Sequence, residues 1–130
     1  MKRFALALVA IHFAVVIVHA IAHEVLPVEA SPAQLAFIIP VIILAPVLAA
    51  IVLLKREKAG AILFTAAMLG SLIFGVYYHF IADTIDHVSH VAHMQPVFWS
   101  QTFAATAYLL AISESLAAVL GLVWLVKKLT

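Results

Sequence analysis

The sequence contains no cysteine among its 130 residues. This excludes disulfide frameworks, thiolate zinc sites and cysteine-bound iron–sulfur clusters. Charge is also scarce. Asp, Glu, Lys and Arg together make 10% of the chain, and the formal net charge is +1 with neutral histidines. A nucleic-acid partner is therefore not expected. No internal repeat and no low-complexity segment interrupts the chain. What fills it instead is apolar: 67% of the residues are hydrophobic, more than a soluble domain of this size could hide from water.

Four apolar stretches, at about residues 4–23, 35–54, 61–81 and 99–126, are each long enough to cross a bilayer. In lipid the backbone must satisfy its own hydrogen bonds, and helices do this within one segment. The expected fold is an all-α integral membrane protein. Residues 1–130 form one domain, a four-transmembrane-helix up-down bundle in contact with the lipid bilayer. Pro27 and Pro32 bar a helix through the first loop, and Pro40 and Pro46 should kink the second segment. The start, Met1-Lys2-Arg3 followed by an apolar run and Ala20-Ile21-Ala22, resembles a signal peptide. The run is longer than a usual signal core and carries three histidines on one face, so a retained first helix is expected.

Every Lys and Arg falls at the N-terminus, at 55–58 or at the C-terminus. For four spans these places share one side, which the positive-inside rule makes cytoplasmic. Both termini should then be cytoplasmic in an inner or plasma membrane. Glu24, Glu29, Asp83 and Asp86 fall on or near the other side, with Phe98 and Trp99 in the outer aromatic belt.

The seven histidines are clustered. His12, His19 and His23 are spaced by seven and four, which places all three within about 40° of one helix face. His79, His87, His90 and His93 lie between Tyr77 and His93, together with Asp83 and Asp86. Ser71, Gly75, His79 and Asp83 recur at steps of four, and Ala107, Ala111, Glu114, Ala118 and Gly121 at steps of three and four. Both stripes should face the bundle interior, where small and polar residues join membrane helices. Residues 82–95 are expected to extend the third helix or to form a short interfacial helix between helices 3 and 4. At 1.5 Å per residue, His19, His23, His79 and Asp83 should occupy one level near the outer surface.

Histidines at i, i+4 and i, i+3 present ring nitrogens on one face, as a metal requires. The first expectation is a transition-metal site for iron, copper or zinc. Its ligands would be His19, His23 and His79, completed by His87 or His90. His12, Asp83, Asp86, His93 and Glu114 are further candidates as ligands or as groups that orient them. Such a centre suits redox chemistry on a lipid-soluble substrate such as a quinone, or metal binding for insertion or sensing. The spacings HxxxH and HxxH resemble in style those of the membrane-bound di-iron hydroxylases and desaturases. Those are larger chains with more histidines, clustered toward the cytoplasm, so the resemblance implies no residue roles here. A second expectation is haem b, held by His79 and by His19 or His23, exchanging electrons with quinone. A third is proton or metal-ion transport using His12 and Glu114, which should lie near the bilayer centre within direct or one-water reach of each other. A homo-oligomer, or a role as accessory subunit of a larger membrane complex, is compatible with all three.

Overall fold

The computed structural model describes residues 1–129. Five helices account for most of them: α1 (Lys2–Val25), α2 (Pro32–Lys55), α3 (Glu57–Ile81), α4 (Val88–Val91) and α5 (Val97–Leu129). Four of these, α1, α2, α3 and α5, are long and apolar enough to cross a membrane. The described residues contain no strand.

The helix boundaries follow local chemistry. α2 begins three residues before its apolar run because Ser31 and Gln34 form a capping box, with Pro32 in the first turn. Proline has no N–H to lose there. The stretch around Pro40 widens into a π-helical segment, Ile38–Leu44, which absorbs the proline without breaking the helix. A second π-helical turn, Tyr77–Ile81, ends α3, and the chain leaves it extended at Ala82. The expected continuation of α3 through 82–95 is therefore corrected. A turn region leads to the single helical turn of α4, capped by His87, whose Nδ1 accepts the Ser89 N–H at 3.2 Å. The stripe of four breaks with it: Ser71 and His79 are buried, while the Asp83 side chain is 93% exposed.

α5 packs against both α1 and α3, and α3 packs against α2; the contact between α1 and α2 is looser than these three. At the α2–α3 hairpin the backbones almost touch. A Cβ on Gly60 would stand 2.6 Å from the Leu53 Cα, so only glycine fits. One apolar core, including Val9, Leu53, Phe64, Met68 and Trp124, fills the end of the bundle near this hairpin. Another, built from Ala22, Leu26, Val28, Val91 and Phe103, closes the opposite end. On α1, His12 and His19 lie between the two, with His79 brought against His19. Large apolar side chains such as Phe4, Leu54, Ile73, Ile112 and Val126 cover the exterior, a surface that suits lipid rather than water.

A candidate metal centre between two apolar cores

The inward face of α1 presents His12, His19 and His23 in turn. His12 and His19 are buried, and His23 is partly so. The π-helical end of α3 brings His79 against them. His19 Nε2 lies 3.2 Å from His79 Nε2 and 3.2 Å from His23 Nε2. Ligand atoms of all three histidines fall within 4.8 Å of one another. Nitrogens bound to one tetrahedral ion at 2.0–2.1 Å stand about 3.3 Å apart, so two edges of the triad already have that length.

The partners of the other ring nitrogens fix the tautomers. His23 Nδ1 lies 2.8 Å from the Val28 carbonyl, and His79 Nδ1 lies 3.1 Å from the Asp86 carbonyl. A carbonyl only accepts, so each Nδ1 carries the proton. His19 Nδ1 lies 2.8 Å from Thr106 Oγ1. That hydroxyl already donates to the carbonyls of Thr102 and Phe103 at 2.7 and 3.0 Å, so it accepts from His19. Each neutral ring then turns a bare Nε2 lone pair toward the same point. No proton remains to join them, and lone pairs this close repel unless a cation stands among them.

The surroundings hold this arrangement. The Phe103 ring lies 4.6, 4.9 and 5.3 Å from the rings of His19, His23 and His79, centroid to centroid. The Val28 N–H returns to the His23 carbonyl at 3.1 Å, so backbone and side chain of His23 both grip the first loop. Asp86 is buried. Its backbone oxygen orients His79, its Oδ1 stands 3.8 Å from His23 Nδ1, and its Oδ2 accepts from Gln34 Nε2 at 3.0 Å. Asp86 thus orients ligands from outside the triad.

The other candidate residues lie elsewhere. His87 and His90 do not join the triad. His87 Nδ1 pairs with Ser89 Oγ at 2.7 Å; His90 Nδ1 donates to the Thr84 carbonyl at 2.7 Å, and its Nε2 lies 3.2 Å from Asp83 Oδ1 on the surface. The cause is the stop of α3 at Ala82, which turns the following residues away. His93 is exposed. The donor set also does not suit a haem on His19 and His79. Two axial ligands stand on opposite sides of the ring, about 4 Å apart for bonds near 2 Å. Here the two nitrogens are 3.2 Å apart, and His23 stands at 3.2 Å from His19, where the macrocycle would lie.

Deeper along α1, His12 Nε2 donates to the Ile42 carbonyl at 3.0 Å. The residue four positions on, Pro46, has no N–H to offer that carbonyl. The other nitrogen, His12 Nδ1, lies 3.1 Å from Glu114 Oε1. The contact is close but bent, because Nδ1 makes no well-aligned hydrogen bond. Both side chains are buried.

Gln34, Thr106 and the Val28 carbonyl were not foreseen in the sequence, and Asp86, expected as an orienting group, acts on His79 through its backbone oxygen. Gln34 carries a readable signal, the S-x-x-Q capping box. Thr106 adjoins Ala107 in the inward stripe of α5 and lies four residues after Thr102, a weak signal. The Val28 and Asp86 carbonyls carry none, since backbone orientation follows from the turns. No protein-family model, curated protein or solved structure matches this chain, so its functional reading rests on the geometry above.

Proposed function

We propose that this protein is an integral membrane metalloprotein binding one transition-metal ion through Nε2 of His19, His23 and His79, near the non-cytoplasmic face. The observation that carries the reading is the convergence of three imidazole nitrogens, with an acceptor in reach of the other nitrogen of each ring. An all-imidazole set suits iron, copper or zinc. The triad also lines a cavity of about 540 Å³. Three protein ligands with one side open are the arrangement of metals that exchange a ligand, whereas structural zinc sites are closed by four. A metal there would supply a Lewis-acid or redox position facing the cavity. The residues of the chain supply the rest: Thr106, Val28 and Asp86 hold the tautomers, and Phe103 keeps water from one side.

Elemental analysis of the purified protein, with an optical spectrum, tests this. About one metal per chain and no haem Soret band are expected. His79→Ala should remove the metal while leaving helical content unchanged, and His87→Ala or His90→Ala should retain it. Full metal occupancy in His79→Ala, or a haem spectrum in the wild type, would overturn the reading.

A further inference from the structure

The cavity that reaches the histidine triad continues down between α1 and α2 to a second polar level. Its walls are apolar, with Ile39, Ile42, Ile43, Phe74 and Leu110 prominent among them. Its floor is not. Ser71, Gly75 and Glu114 line it there. Ser71 is 1% exposed, and its hydroxyl has no hydrogen-bond partner. That is unusual in this bundle, where the hydroxyls of Thr65, Thr102, Thr106 and Ser115 all donate to the carbonyl four residues back. Glu114 turns Oε1 toward His12, while Oε2 stands 3.9 Å from where a Cβ on Gly75 would be. The missing side chain at Gly75 leaves that oxygen facing open space.

The two polar levels are separated by the rise of the helices. Seven residues from His12 to His19, and eight from Ser71 to His79, give about 10 to 12 Å. A ligand that fills this space must be apolar in its middle and polar at both ends. A fatty acid or sterol has one polar end, so it would leave methylene groups against one of the two polar levels and the buried polar groups there unpaired. A flat ring with oxygens at opposite ends spans the distance once a contact of about 2.7 Å is added at each end. The volume falls within the usual range for small-molecule sites, about 300–1,000 Å³. The cleft between α1 and α2 is bordered by a looser contact than those of α5 with α1 or of α3 with α2 and α5, and Leu35 and Ile39 at its edge are exposed, which gives a lipid-soluble molecule a way in.

We propose that this cavity binds a para-quinone or para-quinol from the lipid phase. One ring oxygen is held at the floor by Ser71 and Glu114, and the other faces the histidine triad. The floor makes its contacts without a metal; at the upper end, where the Nε2 atoms offer only lone pairs, a quinol O–H donates to them directly, whereas a quinone oxygen needs a metal there, and in that part the proposal rests on the metal reading.

The test is isothermal titration of decylubiquinone into the detergent-purified full chain, with metal content measured on the same samples. The wild type should bind it. Ser71→Ala should weaken binding about tenfold, the loss of one hydrogen bond to a buried group. Gly75→Leu should abolish binding by filling the floor, and Gly75→Ala, whose added methyl meets only an ordinary contact, should fold and bind. Metal content should not change in Ser71→Ala or Gly75→Ala. Absence of decylubiquinone binding in the wild type would overturn this proposal while leaving the metal reading intact. So would equal binding by wild type, Ser71→Ala and a folded Gly75→Leu, or displacement by cholesterol or palmitate that Ser71→Ala does not weaken.

Discussion

Thr106 shows how much a single hydroxyl can decide. It donates to the backbone of its own helix and so has only a lone pair to offer His19. Thr106→Val keeps the shape but removes that acceptor. The His19 ring is then free to place its proton on Nε2, the atom proposed to hold the metal. Metal affinity should fall about 10- to 100-fold, the usual effect of removing a partner that orients a ligand, and Thr106→Ser should restore most of it. Competition against a chelating dye measures both. Protons compete with the metal for the same lone pairs, since a ligating imidazole must be neutral. Imidazole in water titrates near pH 6.5. Occupancy after equilibrium dialysis should therefore fall as the buffer is made acidic and return on raising the pH.

At the scale of the element, the inward faces were legible and the ends of the helices were not. The seven-and-four spacing of His12, His19 and His23 placed them on one side of α1, because a straight α-helix keeps its angular register. The relation between His79 and Asp83 could not be read the same way. A π-helical turn at Tyr77–Ile81 changes the angle per residue, and no residue type in YYHFI announces it. The spacing of four then fails, Asp83 turns to the surface, and the buried carboxylate beside the site is Asp86 instead. The helix hairpin gives a prediction of its own. Gly60→Ala would press a methyl into the backbone of Leu53, and overpacking of this kind costs about 1–3 kcal/mol. Thermal unfolding should shift downward. Gly60 is nineteen residues from His79, about 28 Å along the helix, so metal affinity of the folded fraction should be unchanged. A large loss of affinity would show that the two ends of the bundle are coupled.

For the whole molecule, composition alone indicated four apolar helices, and the structure contains four of that length and character. Their direction in a bilayer is a separate matter, carried by the placement of Lys2, Arg3, Lys55, Arg56, Lys58, Lys127 and Lys128. If that side is cytoplasmic, exposed Ser31 and Ser89 lie on the other. Cysteines placed at these two positions in this cysteine-free chain should react with an impermeant maleimide added to intact cells. Reaction only after the cells are opened would reverse the orientation and move the histidine triad to the cytoplasmic side.

The triad draws its members from the first and third membrane-length helices, and Thr106 on the fourth steadies one of them. An ion held there would act as a rivet through that end of the bundle. It could not be gripped until α3 has taken its place beside α1, so loading would follow the docking of these two helices. Mass action then links the rivet to endurance. An ion that binds the assembled bundle and not its separated helices adds about 1.4 kcal/mol of stability for each tenfold rise in free metal above the dissociation constant. The unfolding temperature should climb steadily with the logarithm of metal concentration in the wild type and stay flat in His79→Ala. The same slope would make the lifetime of the protein in its membrane a gauge of the metal supply around it.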